Sequence, residues 1–242
     1  MLSSGPSDVS AALANHQSLP VPVEIRPMRN ARRLRLRFDE RRAVLKLTCP
    51  PHYSRSKALA WAAEQRPWVE AQIARAGERE QLADGVIIPV EGAEVRLRWV
   101  SNAPRTPRLE DGEIVAGGPV ESFGPRIERF LRKRALETLS ADTAEYAAKA
   151  GITLRAVSLG DADTRWGSCS SEGRIRYNWR LILAPPAARR FVAAHEVAHL
   201  VHLNHGPQFK ALEASLFEGD VPAARALLRR VGPRLKRIVS RV

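Results

Sequence analysis

At 242 residues the chain is long enough to bury a sizeable core, and its composition, 44% apolar and 27% charged, is that of a globular protein. This excludes a fibrous chain and argues against a disordered one. No run approaches the roughly 18 apolar residues of a membrane span, and the first twenty residues carry no Lys or Arg. We therefore expect a cytoplasmic protein without a signal peptide. Its two cysteines, Cys49 and Cys169, are expected to be reduced.

The formal net charge is +13, and 33 of the 39 basic residues are Arg. Such a charge attracts phosphates of nucleic acids, nucleotides or membrane surfaces. A coding bias towards Arg would give the same excess. We expect a general positive field and non-specific nucleic-acid contact through the basic surface, without a defined site.

The N-terminal part divides into a tail and a β-rich stretch. Residues 1–20 are rich in small and polar residues and are predicted to be a disordered tail. In the β-rich residues 21–120, apolar residues alternate with arginines from 33 to 38 and resume at Ala43, which predicts a hairpin with outward-facing arginines. Ser54 is predicted to cap a helix that continues from Pro67 to Gly77.

The remaining elements predict an α+β fold. The predicted order is a β-rich stretch over 86–100, a turn at Asp111-Gly112, a helix over 124–150, strands at 152–159 and 173–178, and helices over most of 186–238. Three prolines and a Gly-Gly make 101–120 the expected seam before a helical part, 121–242. We expect 21–120 and 121–242 to form one continuous structural unit.

Four of the six histidines lie within eleven residues, and two of them form the HExxH sequence His195-Glu196-Val197-Ala198-His199. Residues four apart share a helix face, so His195 and His199 can bind one metal ion at about 2.0–2.1 Å. Glu196 beside them is placed to take a proton from water on the metal. Neutral imidazoles favour Zn²⁺ as the cofactor.

A catalytic zinc site needs a third protein ligand and an open position for water. We favour His205, six residues after His199. A left-handed turn at Asn204 would bring the His205 side chain back towards the metal, and Gly206-Pro207 would then start the next helix.

Three other side chains compete for this position. His202 shares the helical face, but its Cα lies roughly 10 Å along the axis from that of His195, which is too far for one ion. We expect His202 to lie beside the ligands or to face solvent. Glu213 and Glu218 are alternative ligands, as in proteases that use a carboxylate from a later helix.

These motifs together identify a known family. The blocks that carry the resemblance are Arg165-Trp166-Gly167-Ser168-Cys169, Ile175 to Leu181, His195 to His199 and Asn204 to Phe209. Over about residues 22–217, the sequence resembles the YgjP-like metallopeptidases, relatives of the SprT-like and WLM zinc peptidases. Gly206 departs from the Ser that relatives often carry there. The resemblance implies a minimal zincin-like core, an HExxH helix on a small mixed sheet, with His195, His199 and His205 as ligands and Glu196 as general base.

The Arg165 block contains a second group of candidates. Arg165 suits a carboxylate, a phosphate or a developing oxyanion, and a structural ion pair is the competing interpretation. Asn178 is predicted either to cap a turn or to bind substrate backbone. For Trp166 and Cys169 we favour core packing over metal binding or nucleophilic chemistry by the thiol.

The favoured function is a zinc-dependent metallopeptidase that acts on a peptide or protein lying along an exposed edge strand. The resemblance also admits a nucleoside-triphosphate pyrophosphatase that prefers uridine triphosphate, on the same metal site. A third hypothesis is a DNA-associated SprT-like protease. Residues 225–241 carry seven basic residues and no acid, and are predicted to form an amphipathic helix interrupted at Gly232-Pro233. Its outer face is expected to be solvated, with nucleic acid or another protein as alternative partners.

Overall fold

The structure is a computed structural model that describes residues 13–14, 18–39, 42–162 and 164–240. The chain divides into two compact units, Met1–Glu78 and Arg79–Val242. Helices and small mixed sheets occur together, which confirms the predicted α+β class. None of the helices in the described ranges has the length and apolar character that a membrane crossing requires.

The first unit is a four-stranded sheet with two helices. Its elements are β1 (Leu13–Ala14), β2 (Val23–Pro27), β3 (Arg35–Asp39), β4 (Val44–Cys49), α1 (Arg55–Glu64) and α2 (Arg66–Ala76). The strand order is β1-β2-β4-β3, and β3 pairs antiparallel with β4 as the alternation predicts. Ser54 accepts a hydrogen bond from the Lys57 amide, which confirms the predicted cap. Strand β1 lies inside the predicted tail, most of which falls outside the described residues.

The second unit begins with a four-stranded sheet of order β6-β7-β9-β8. Its early elements are β5 (Glu80–Gln81), β6 (Ile87–Val90), β7 (Ala93–Trp99), β8 (Arg108–Glu110), β9 (Glu113–Ala116) and α3 (Phe123–Lys149). Both Asp111 and Gly112 have positive φ, as the predicted hairpin turn requires.

The boundary between the units differs from the predicted seam. We expected the chain to pass from its β-rich part to its helical part within 101–120, with both parts in one continuous unit. The structure instead divides into two units after Glu78. The apolar side chains of β6, β7 and β9 share a core with the helices of the second unit. That shared burial outweighs the local signal of the prolines and glycines in 101–120.

A three-stranded sheet, three helices and a last short strand complete the second unit. They are β10 (Ala156–Gly160), β11 (Gly167–Cys169), β12 (Arg174–Asn178), α4 (Pro186–Val201), α5 (Pro207–Phe217), α6 (Val221–Arg237) and β13 (Ile238–Val239). The sheet order is β10-β12-β11, so β11 is an edge strand. Apolar residues of α4 and of β12 belong to the same core, which places the HExxH helix against this sheet.

Helix α6 corrects one expectation, because it continues through Gly232-Pro233 without interruption. Leu228 and Leu235 are buried on either side and hold both halves of the helix on the core. Gly232 lies against Trp166, where a Cβ would be 3.0 Å from the ring atom Cζ2. Packing therefore compensates for the single N–H that Pro233 lacks.

A buried ion-pair network fixes α4 on α3. Arg189 of α4 donates from Nε to Asp142 Oδ2 of α3 at 2.7 Å, and from Nη1 to Glu91 Oε1, in the β6–β7 turn, at 3.1 Å. Arg189 and Asp142 are both nearly inaccessible to solvent. Removing either partner would leave the other as a buried charge with fewer partners.

We therefore expect Arg189→Ala to lower the free energy of unfolding by about 3 kcal/mol, measured by urea denaturation. Arg174→Ala is the matched control, because the Arg174–Glu172 pair is exposed, and its loss should cost less than about 1 kcal/mol. Equal losses in the two variants would show that the buried network does not hold α4 in place.

Candidate metal centre

Three imidazoles converge at the end of α4. His195 and His199 lie on one face of this helix, and His205 lies just before α5. The Nε2 atoms are 3.2 Å apart between His195 and His199, 3.1 Å between His199 and His205, and 3.5 Å between His205 and His195. Within the described residues, these three histidines form the group able to hold a metal ion.

The spacing of the nitrogens fits one tetrahedral ion. Two ligands bound at about 2.0–2.1 Å with a tetrahedral angle are about 3.3–3.4 Å apart. The three observed separations, 3.1 to 3.5 Å, bracket that value. His205 is exposed, which leaves a side of the centre open to solvent.

The other ring nitrogens of two histidines have protein partners. His195 Nδ1 lies 2.6 Å from Glu213 Oε1, and His199 Nδ1 lies 3.2 Å from the backbone oxygen of His202. Both oxygens are acceptors, so Nδ1 carries the hydrogen and Nε2 presents its lone pair towards the other rings. Burial lowers the pKa of both imidazoles, although the two acceptors act in the opposite direction. The lowered pKa favours the neutral form of the imidazole, which is the form that binds metal.

The turn that delivers His205 differs from the prediction. Asn204 is not among the described residues with positive φ, so the expected left-handed turn is wrong. Helix α4 ends at Val201, and the next residue, His202, is extended with φ −124° and ψ 107°. Gly206 then donates to the Asn204 carbonyl at 2.8 Å, and Pro207 begins α5 as predicted. The chain therefore turns towards α5 through His202 in the extended conformation, and not through Asn204 in the left-handed conformation.

Glu196 faces the sheet that packs against α4. Its side chain is buried, and burial raises the pKa of this carboxyl to about 7, with the positive charge of Arg165 acting in the opposite direction. A Cβ on Gly167 would be 2.4 Å from Glu196 Oε1. The carboxyl group therefore rests in space that only glycine leaves free.

Two cavities meet at the Arg165–Gly167 segment. One, of about 340 Å³, is lined by His195, Glu196 and His205 among others, and a second of about 330 Å³ is lined by Ser168 and Arg176. Arg165 borders both. Arg165 is exposed and shares the lining of the first cavity with His195 and His205, and its substrate-binding role stays a prediction.

The Asn178 side chain forms hydrogen bonds with backbone groups. Its Oδ1 accepts from the Arg180 amide at 3.0 Å, and its Nδ2 donates to the Ala162 carbonyl at 3.0 Å. The side chain is buried and caps a 3₁₀ turn, Trp179–Leu183. The capping interpretation is confirmed. Asn178 also lines the cavity of about 330 Å³, and its substrate-binding role stays a prediction.

The remaining candidates lie outside the group of ligand atoms. Cys169 packs against the core, and burial, with a contribution from the Glu196 charge, raises the pKa of its thiol. Glu218 forms an ion pair with Lys149 at 2.9 Å. The Glu213 carboxylate contacts His195 at Nδ1, and it does not belong to the group formed by the three Nε2 atoms. The sequence placed Glu213 among candidate ligands and missed its role as the partner of His195.

The basic helix α6 has several partners within the chain. Arg225 donates to Glu213 Oε2 at 3.3 Å, and Arg234 donates from Nε and Nη2 to the carboxylate of Glu80. The Lys236 ammonium lies 5.0 Å from the Trp166 ring centre. Arg229 and Arg230 are exposed, and Arg241 falls outside the described residues. Part of the predicted solvated face is therefore occupied by intramolecular contacts.

Comparison with known proteins supports the interpretation of these residues. The sequence matches the family described as "YgjP-like, metallopeptidase domain" over residues 32–230, so the chain belongs to that family and the resemblance is confirmed. A family of metallopeptidases implies a divalent metal and hydrolase activity. A search of curated proteins found no match. The crystal structure of the metallopeptidase zymogen of Pyrococcus abyssi abylysin aligns with 42% of this chain and 98% of its own, at 17% identity and a TM-score of 0.35. A TM-score this low does not establish a shared fold.

The contact between Glu213 and His195 predicts an effect on metal affinity. Glu213→Ala should weaken zinc binding about 10- to 100-fold, since the imidazole loses the acceptor that fixes its orientation and its basicity. Competition with a chromophoric chelator measures this affinity.

Glu218→Ala is the control, because it also removes one carboxylate near the end of α5 but touches no histidine. Equal zinc affinity for Glu213→Ala and wild type would contradict the assigned role of Glu213.

Proposed function

We propose that this protein is a zinc-dependent peptidase in which His195, His199 and His205 hold the ion and Glu196 is the general base. The observation that carries the proposal is the convergence of three Nε2 atoms at 3.1 to 3.5 Å. We infer that helix α4 and the sheet β10-β12-β11 make up the minimal zincin-like core that the family resemblance implies.

Zinc suits this donor set because neutral imidazoles in an open three-ligand site match its preferred coordination. When bound, the ion supplies Lewis acidity, which makes water more acidic and polarises a carbonyl group. The chain supplies the remaining chemistry.

Glu196 moves the proton. Its carboxylate accepts a proton from water as the oxygen of that water attacks the scissile carbonyl carbon, and it passes this proton to the leaving amine as the C–N bond breaks. Gly167 allows the carboxyl group to lie against the β11 backbone, since any larger residue would occupy its position. The buried setting excludes competing water from the base.

Arg165 and strand β11 provide the substrate side of the site. Arg165 borders both cavities, so its guanidinium can stabilise negative charge that develops on the carbonyl oxygen. Edge strand β11 has one side unpaired in its sheet and offers backbone groups to an extended peptide. The cytoplasmic location and the non-specific nucleic-acid contact remain predictions.

Glu196→Gln separates metal binding from catalysis. All three imidazoles remain, so the variant should retain one zinc per chain, yet hydrolysis of an unfolded protein such as casein should fall by about 10² to 10⁴-fold. His205→Ala should instead lose metal affinity, because two ligands from one helix remain. His202→Ala should do neither, since only its backbone oxygen contacts a ligand.

Zinc content by mass spectrometry and activity assays on the same preparations check these outcomes. Nucleoside triphosphates are tested in parallel. Full activity of Glu196→Gln on every substrate would contradict the mechanism, and Glu196-dependent cleavage of triphosphates without peptide cleavage would identify the metal centre as a nucleotide hydrolase.

Gly167→Ala tests the placement of the base. The added Cβ would come within 2.4 Å of Glu196 Oε1, so the carboxyl group must move. We expect a fall in kcat of at least about tenfold with zinc content unchanged, because an ångström-scale displacement of a catalytic group is costly. Ser215→Ala, which removes an exposed hydroxyl group of α5 outside both cavities, should leave kcat within about twofold. Equal kcat values for Gly167→Ala and wild type would show that the position of Glu196 is not critical.

A further inference from the structure

A separate cavity of about 590 Å³ lies along helix α3 in the second unit. It is bounded by one face of α3 and by residues 105–107, in the loop between β7 and β8. It shares no residue with the two cavities at the metal centre. Its volume is within the range of small-molecule sites, roughly 300–1,000 Å³.

The lining of this cavity is strongly basic. Its charged residues are Arg105, Arg126, Arg129, Lys133, Arg134 and a single acid, Glu137. Arg134 pairs with Glu91 outside the cavity, and Lys133 lies 3.9 Å from Glu137. Arg105 and Arg129 have no ion-pair partner in the part of the chain that the structure describes. The cavity therefore holds an excess of positive charge.

The side chains of Arg105 and Arg126 both pass close to Gly118. A Cβ built on this glycine would lie 2.9 Å from Arg105 Cγ and 3.2 Å from Arg126 Nη1. Arg126 Nη2 donates to the Pro119 carbonyl at 2.8 Å, but its Nε is buried without a hydrogen-bond partner among the described residues. Both side chains carry a positive charge and both line the cavity, so both would attract an anion bound there.

The loop that carries Arg105 is held in place by hydrogen bonds. Gly117 N donates to the Pro104 carbonyl at 2.9 Å, and Trp99 Nε1 donates to the Gly118 carbonyl at 2.8 Å. Gly117 leaves no room for a side chain, since its Cβ would be 2.0 Å from the Ala103 carbonyl oxygen. The backbone of this loop is therefore held in place before any ligand arrives, which reduces the entropy lost on binding.

The cavity also has an apolar wall. Phe130 of α3 and Pro107 of the loop are half-buried and line it together with the aliphatic stems of the arginines. A flat ring can stack on an aromatic face or a guanidinium plane, whereas a bare inorganic ion would leave this wall unused.

We propose that this cavity binds a phosphate group attached to a planar ring, the chemistry of a nucleotide. A phosphate group presents several oxygens and about two negative charges. It therefore suits two guanidinium groups better than a ligand with a single carboxylate group would. Phe130 and Pro107 would contact the ring. The nucleotide is either free or part of a single-stranded nucleic acid, and it binds here without contacting the metal centre.

Titration calorimetry tests the proposal on the full-length protein after chelator treatment, so that no metal-bound phosphate contributes. The probes are adenosine monophosphate, inorganic phosphate and a ten-nucleotide oligothymidylate. We expect one adenosine monophosphate per chain, bound at least about fivefold more tightly than inorganic phosphate because the ring stacks. Oligonucleotide affinity that exceeds the mononucleotide affinity at least about tenfold would assign the ligand to a nucleic-acid strand.

Arg105→Gln and Arg126→Gln should each weaken the binding of adenosine monophosphate at least about tenfold. Arg174→Gln removes the same charge from an exposed arginine outside the cavity and should have no effect. Phe130→Leu should weaken binding of the mononucleotide but not of inorganic phosphate. Arg105 is exposed, so that variant is expected to fold, and circular dichroism verifies each one.

The proposal is overturned if wild-type protein shows no saturable binding of any probe, or if Arg105→Gln and Arg126→Gln bind as wild type does. Equal affinities for the mononucleotide and inorganic phosphate would overturn the role of the apolar wall. These results do not depend on peptidase activity, so they are independent of the function proposed for the metal centre.

Discussion

Three imidazole Nε2 atoms that lie within 3.5 Å of one another form the constraint on which the candidate metal centre depends. Hydrogen-bond acceptors at the Nδ1 atoms of His195 and His199 turn their Nε2 lone pairs inwards, and His205 adds a third nitrogen within 3.5 Å. Lone pairs at such distances repel one another unless a cation or a proton lies between them. The surrounding fold, from the end of α4 to the buried Glu213 of α5, is arranged to hold this geometry.

The sequence predicts those features that depend on neighbouring residues. Alternation identifies the β3–β4 hairpin, a capping serine starts α1, and apolar spacing predicts α3 and α4, because each of these rules acts over a few positions. The HExxH spacing likewise places His195 and His199 together on one helix face.

Features that depend on tertiary contacts escaped prediction. An extended His202, and not a left-handed Asn204, ends α4. The roles of Glu213 and Gly167 depend on which side chains the packing of α5 and β11 brings to α4, and spacing along the chain carries no such information. The excess of basic residues is visible in the sequence, but their distribution is not. Arg189 is in a buried ion-pair network, whereas Arg105 and Arg129 line the cavity along α3 without an ion-pair partner among the described residues.

The most direct measurement of the central claim is zinc X-ray absorption on the purified, metal-loaded protein. The account predicts a first shell of nitrogen and oxygen atoms at about 2.0–2.1 Å, with the outer-shell scattering of three imidazoles. A sulfur atom at about 2.3 Å would place Cys169 on the metal and contradict the account. Scattering from only two imidazoles would contradict it as well, because His205 would then not be a ligand.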